Sequence, residues 1–165
     1  MKKGEKHTEE TKAKISEAME WSSSYNIKDE FKNEKEYQDY IENNITLFCK
    51  DVIDMGDYIS HKTNKSIQKQ NFGGTKERAD FIIKGTKGVC IVELKYPKND
   101  FCELRNSIGQ CLHYYVVAEA NIKFDKMCIV SPVFDQRIFN IVKRFNLPIE
   151  LYYLTKEHHS KIEVK

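Results

Sequence analysis

The chain has 165 residues, of which 40% are hydrophobic, so it is long enough to form one domain with its own core. Its formal net charge of +2 is too small to indicate a nucleic-acid partner by itself. No apolar run approaches the roughly 20 residues of a transmembrane helix, and the N-terminus lacks the apolar stretch of a signal peptide. We therefore expect an intracellular, cytoplasmic protein with no membrane partner.

The cysteines favour the same location. There are five of them, an odd count, and no two have the spacing of a CxxC pair. Most stand among apolar residues, which is typical of reduced thiols in a core rather than of disulfides or a zinc site. They are Cys49, Cys90, Cys102, Cys111 and Cys128.

The N-terminal segment is polar and carries charges of both signs. Thr8 can cap a helix whose first turn contains acidic residues, and this helix has little apolar surface to bury. The serines at 22–24 then predict a break or linker. We therefore divide the chain into a helical segment with its linker, residues 1–24, and a main domain, residues 25–165.

The main domain begins with a predicted amphipathic helix over residues 31–50, because its apolar residues recur near one face. Glu34 precedes Tyr37 by three residues and Ile41 by seven, so we expect it on that inward face. A carboxylate there lies either at the rim of the core or in a site. A strand is predicted next, over about 57–70.

A β-hairpin follows, formed by two apolar runs, 77–83 and 89–95, around a Gly-bearing turn. Centring the turn between Thr86 and Lys87 places Asp80 opposite Glu93, about 5 Å apart on one face. Lys95 shares that face because it lies two residues beyond Glu93.

The two opposed carboxylates of this hairpin repel each other, and a divalent cation with oxygen ligands would offset that cost. The alternative is that Asp80 and Glu93 are ordinary solvent-exposed strand positions. The continuous apolar run 89–92 favours a site, because charges at the end of a strand buried on both faces need a partner.

The remaining elements complete an alternating order. Helices are predicted over 101–118 and 134–145, and strands over 127–130 and 149–154. The order α-β-β-β-α-β-α-β predicts an α/β fold with a mixed sheet flanked by helices.

Asp80, twelve intervening residues and Glu93-Leu94-Lys95, in this αβββαβ order, resemble the PD-(D/E)xK nuclease superfamily over about residues 31–131. Ala79 stands where the name has Pro, and Arg78-Ala79-Asp80 resembles the Arg-x-Asp form found in the RecB-like and archaeal mismatch-endonuclease branches. The resemblance implies a restriction-endonuclease-like core and metal-dependent hydrolysis of phosphodiester bonds.

The resemblance also implies roles for individual residues. Asp80, Glu93 and the backbone carbonyl of Leu94 would bind Mg²⁺ or Mn²⁺, helped by the family's first-helix acid. That acid matches Glu34, with Glu36 as the alternative. Lys95 would orient or activate the attacking water.

The helix after the hairpin extends the resemblance. Gln110 and Tyr114 have the i, i+4 spacing of a Gln and a Tyr that face the site in the RecB-like branch. The resemblance implies that they, with Arg78, position the phosphate or the metal-bound water. The alternative is a surface pair on an amphipathic helix.

Two stretches point to DNA as the partner. A basic run includes Lys62, Lys65, Lys69 and Arg78, and such patches bind phosphate backbones, although a solvated lysine-rich surface is the alternative. Residues 4–18 resemble a modular DNA-binding helix motif of homing endonucleases. That resemblance implies DNA contacts by His7, Thr11 and Lys14, with a solvated, salt-bridged helix as the alternative.

Three functions remain open from the sequence. The first is a site-specific, homing-type DNA endonuclease, and the second is a structure-specific repair or recombination nuclease. The third is a non-catalytic DNA-binding module on a nuclease fold, which the intact Asp80, Glu93 and Lys95 oppose. Cutting both strands at one site would favour a homodimer with two-fold symmetry.

Overall fold

The computed structural model of the chain describes residues 31–66, 78–96, 102–119, 123–133, 135–156 and 159–161, with only the backbone at 64–66, 102–103, 117–119 and 159–161. The predicted N-terminal DNA contacts, His7, Thr11 and Lys14, lie outside these residues, as does Lys69. None of the helices in the described part of the chain is long and apolar enough to cross a membrane.

The elements follow the predicted order along the chain. The helical segments are α1 (Glu34–Asn43), α2 (Ile45–Leu47), a π-helical turn (Phe48–Val52), α3 (Cys102–Glu119) and α4 (Gln136–Arg144). The strands are β1 (Tyr58–Ser66), β2 (Arg78–Gly85), β3 (Gly88–Leu94), β4 (Lys126–Ser131), β5 (Glu150–Leu154) and β6 (His159–Lys161).

The described strands form one six-stranded mixed sheet in the order β1-β2-β3-β4-β5-β6. The first two pairings are antiparallel, β3–β4 and β4–β5 are parallel, and β5–β6 is antiparallel. The parallel pairs are joined through α3 and α4, because parallel neighbours need a crossover connection. The predicted mixed sheet flanked by helices is therefore confirmed, whereas β6 was not predicted.

Helices cover both faces of the sheet, which gives three layers. On one face, Tyr37 and Ile41 of α1 pack in a cluster with Phe81, Ile83 and Val92. On the other face, α3 and α4 pack with a second cluster that includes alternate residues of the same strands. Its members include Ile91, Ile108, Cys111, Ile129, Ile138 and Val142. The thiols of Cys49, Cys90, Cys111 and Cys128 are free and buried, as the sequence predicted.

The predicted first helix is shorter than expected, although its inward face is correct. Asn33 caps α1 by accepting a hydrogen bond from the Glu36 N–H at 2.9 Å. The helix ends at Asn43, and the Asn44 side chain donates to the Tyr40 carbonyl at 2.8 Å. Asparagine side chains compete for backbone hydrogen bonds in this way. Asn33 therefore marks the start of α1 and Asn44 its end, inside the predicted 31–50 helix.

The hairpin has the predicted register. Phe81 pairs with Val92 and Gly85 with Gly88, so the turn consists of Thr86 and Lys87. The turn is held by a preceding loop, because the Thr86 N–H donates to the Asp57 carbonyl at 2.9 Å. Alternation along β3 then places Val92 toward α1, and Ile91 and Glu93 toward α3.

Candidate functional site

The two strands of the hairpin stop pairing where the predicted carboxylates lie. The backbone ladder ends at Phe81–Val92, and the next step of the same register places Asp80 opposite Glu93. Asp80 Oδ2 accepts a hydrogen bond from the Leu94 N–H at 2.7 Å, in place of a backbone carbonyl. The Asp80 carboxylate is therefore fixed at the point where β2 and β3 part.

Glu93 occupies a position that the sheet would otherwise fill with an apolar residue. Because β3 is covered on both faces, the Glu93 side chain is only 2% exposed. Its Oε1 atom lies 2.6 Å from the Nζ atom of Lys95, whose side chain is 14% exposed. The ion pair joins Glu93 to the residue two positions later, just past the end of β3, and the two side chains lie on the side that the spacing predicted.

Burial governs the protonation of this group. Burial, followed by the neighbouring charge of Asp80, raises the pKa of Glu93 from 4.5 to about 7, although Lys95 opposes the rise. Burial likewise raises the pKa of Asp80, and Glu34 adds to the rise, while the Leu94 N–H and Lys95 counteract it. Burial alone would lower the pKa of Lys95, but Glu93, Asp80 and Glu34 together raise it. The cluster therefore favours additional positive charge.

One oxygen of the pair lacks a partner. Glu93 Oε2 is buried and has no hydrogen-bond donor among the residues that the structure describes. The Tyr114 hydroxyl is close enough to favour the ionised form of Glu93, but it donates its single proton to the Arg78 carbonyl at 2.9 Å. A buried carboxylate oxygen without a donor is costly, and a bound cation would satisfy it.

The acid of the first helix that reaches this site is Glu34. Its Oε2 atom accepts a hydrogen bond from the Tyr96 N–H at 3.4 Å, and its charge acts on both Asp80 and Lys95. Glu36 is engaged elsewhere, because its carboxylate accepts from the Lys32 N–H at 2.9 Å.

The donor set suits a hard divalent cation. The Asp80 and Glu93 carboxylates lie at one point of the hairpin beside the Leu94 backbone, with Glu34 at its rim. Within the described ranges, no three His, Cys, Asp or Glu side chains converge closely enough to form a metal-binding group. Two carboxylates with water as the remaining ligands is nevertheless the arrangement that Mg²⁺ commonly uses.

The helix-borne pair lies in α3, and Tyr114 is beside Glu93, on the side of the helix that the resemblance implied. Gln110 is half-buried, and Tyr114 is 2% exposed on the face of α3 that packs against the sheet. Burial and the Glu93 charge raise the pKa of Tyr114 well above its usual value, so its hydroxyl stays neutral. The described contacts thus show Tyr114 holding the Arg78 backbone beside Glu93.

The predicted basic residues are only partly described. Arg78, at the start of β2, and Lys62, in the middle of β1, are exposed. Lys65 lies in β1, where only the backbone is described.

Tyr96 is a residue of the site that the sequence interpretation missed. Besides its N–H contact with Glu34, its hydroxyl donates to the Phe31 carbonyl, and its ring lies 6.0 Å from that of Phe31. These contacts tie the segment after Lys95 to the start of α1. An aromatic residue directly after the predicted catalytic lysine was the available signal.

Comparison with known proteins gives no match, since no protein-family model, curated protein or solved structure matches the chain.

Proposed function

We propose that this protein is a metal-dependent DNA endonuclease with a restriction-endonuclease-like core of the PD-(D/E)xK type. The observation that supports the proposal most is the buried Glu93 oxygen without a donor, across the hairpin from Asp80. A merely structural carboxylate would have its lone pairs satisfied or would face water. The order of α1, β1–β3, α3 and β4 around this point is the order that the superfamily resemblance implies.

In this proposal Asp80, Glu93 and the Leu94 carbonyl hold Mg²⁺ or Mn²⁺, with Glu34 helping from the rim. The bound ion supplies a Lewis acid for the phosphate and lowers the pKa of a water ligand. Lys95, held by Glu93 at 2.6 Å, presents an ammonium group that orients the water and neutralises charge developing on the phosphate.

The remaining predicted residues have supporting roles in the proposal. Gln110 and Arg78 contact the phosphate or its water, and Tyr114 keeps the Arg78 backbone in place. Lys62, Lys65 and Lys69 contact the DNA backbone, as do His7, Thr11 and Lys14 of the N-terminal segment. A cytoplasmic homodimer would place two such sites on one duplex.

The cleavage activity can be tested on supercoiled plasmid DNA. The wild-type protein should nick the plasmid with Mg²⁺ or Mn²⁺ and should stop when EDTA is added. Asp80→Asn and Glu93→Gln should each reduce the rate by at least about 100-fold, since each removes a charged ligand. Asp39→Asn is the matched control, because Asp39 is an exposed helix residue paired with Lys35. Full metal-dependent cleavage by both site variants would refute the proposed site.

The type of endonuclease is tested separately. Site-specific, homing-type activity is supported by the resemblance of residues 4–18, and it predicts that removing residues 1–24 weakens binding to a long duplex site. Structure-specific activity is supported by α3 with Tyr114 beside Glu93, and it predicts preference for flaps, junctions or mismatches. Unchanged duplex affinity and specificity after the truncation would eliminate the homing interpretation.

A further inference from the structure

The part of the sheet next to Asp80 carries lysines on the same face as that carboxylate. In the β1–β2 pair, Lys62 lies opposite Ile82, and Ser60 lies opposite Lys84. Opposed residues of an antiparallel pair point to one face, and residues two apart on a strand share it. Lys62 and Lys84 therefore lie on the face that also carries Asp80.

The packing of β2 fixes which face this is. Phe81 and Ile83 alternate with the residues above and are fully buried in the cluster under α1. Ile82 is partly buried against the cluster on the α3 side. Lys84, next along the same side, is exposed, so α3 leaves this end of the face open.

The two lysines have no anionic partner within the protein as described. Lys62 and Lys84 are both exposed, and no ion pair joins either to another residue that the structure describes. Lys35 and Lys50, in contrast, lie within 3.0 Å and 3.3 Å of a carboxylate oxygen. Diagonal neighbours on adjacent strands are about 7–8 Å apart, so the two lysines place two positive charges on one small area, which is complementary to a polyanion.

We propose that Lys62 and Lys84, here named the β1–β2 lysine surface, bind the phosphate backbone of the DNA that enters the site. This inference rests on the proposed endonuclease function. Lys62 lies opposite Ile82, which is two residues from Asp80 on β2, and Lys84 is four residues from Asp80 on the same strand. At about 3.3 Å per strand residue, these two positions on β2 are about 7 and 13 Å from Asp80.

The two cations thus follow one another along a line that leaves the site, which matches the repeating charges of a nucleic-acid strand. Such contacts fix the position of the DNA without selecting its sequence. Lys84 belongs to the surface because of the register of β1 and β2, and its own sequence neighbours give no sign of it.

The test measures how binding depends on salt. Binding of a labelled DNA duplex is followed by fluorescence anisotropy in EDTA, so that no cleavage occurs, over a series of salt concentrations. Each lost phosphate contact reduces the slope of log K against log salt by about 0.9. Lys62→Gln and Lys84→Gln should each show this reduction, and Lys62→Arg and Lys84→Arg should retain the wild-type slope. Lys123→Gln, an exposed lysine just before β4, is the matched control and should leave the slope unchanged.

The outcomes separate this surface from the nuclease proposal. If both glutamine variants keep the wild-type slope while the wild-type protein cleaves DNA, the surface is wrong and the nuclease proposal stands. If both slopes fall but the wild-type protein cleaves nothing with Mg²⁺, the surface stands and the nuclease proposal fails. A wild-type protein that binds no duplex at all overturns the surface.

Discussion

The buried Glu93 carboxylate should destabilise the metal-free protein at neutral and alkaline pH. Its pKa rises from 4.5 to about 7 on folding. Each unit corresponds to about 1.4 kcal/mol, so ionised Glu93 reduces the free energy of unfolding by about 3 kcal/mol. This value already includes the ion pair with Lys95, since that pair opposes the rise.

The sign follows from proton linkage. Below about pH 4.5 the carboxyl is protonated in both the folded and the unfolded state, so it has no effect on stability. Above about pH 7 it is ionised in both states, and the full cost is present. The contribution of Glu93 therefore lowers the stability of the metal-free protein as the pH rises through this window.

Glu93→Gln removes this ionisation and isolates the effect from other titrating groups. In EDTA, the variant should exceed the wild type in unfolding free energy by about 3 kcal/mol at about pH 8 and by only about 1 kcal/mol at about pH 5. Urea titrations across this range measure the difference, and Asp39→Asn, which removes an exposed carboxylate on α1 away from the site, is the matched control. A constant difference, or a variant less stable than the wild type at the alkaline end, would refute the reasoning.

Three further predictions concern packing in the hairpin and in α3. Tyr114→Phe should lower the free energy of unfolding by about 1 kcal/mol, because a buried hydroxyl loses its hydrogen bond to β2. Tyr115→Phe, on the more exposed side of α3, should have no effect on urea unfolding, and equal losses would argue against the bond. Gly88→Ala should destabilise by about 2 kcal/mol, because φ is +139° and a Cβ would lie 2.2 Å from Asp125 Oδ2. Gly109→Ala should stabilise by about 0.5–1 kcal/mol, because a Cβ there meets open space on α3. A stabilising Gly88→Ala or a destabilising Gly109→Ala in urea unfolding would contradict the corresponding prediction.

The sequence predicted the hairpin well because local signals determine it. The Gly-flanked turn and the apolar alternation leave one register, and a slip by one residue would turn Phe81 and Ile83 out of the core. The pairing of Asp80 with Glu93 and the face of Lys95 follow from that register.

The parts that the sequence did not predict depend on contacts between distant segments. The partner of the Tyr114 hydroxyl requires knowing how α3 lies against the sheet. Glu34 was preferred to Glu36 from the sequence, but its contact with the Tyr96 N–H depends on how α1 lies against the sheet. Strand β6 comes from a polar tail, where an edge strand needs little apolar surface because only one side is paired.

The cluster of Asp80 and Glu93 has the properties expected of residues that serve a function rather than of residues that stabilise the fold. A buried carboxylate pair costs stability in the metal-free protein, and a hydrophobic residue at position 93 would pack against α3 without that cost. Strain and electrostatic cost of this kind tend to concentrate at functional sites. The stability cost of the two carboxylates in the metal-free protein therefore agrees with a functional role for them.

Calorimetric titration of Mn²⁺ into the metal-free protein tests the central claim, that Asp80 and Glu93 together hold a divalent cation. The wild-type protein and the Asp39→Asn control should bind Mn²⁺ with the same affinity, whereas Asp80→Asn and Glu93→Gln should each weaken binding by about 10- to 100-fold or more. No binding by the wild type, or equal binding by all four proteins, would contradict the account.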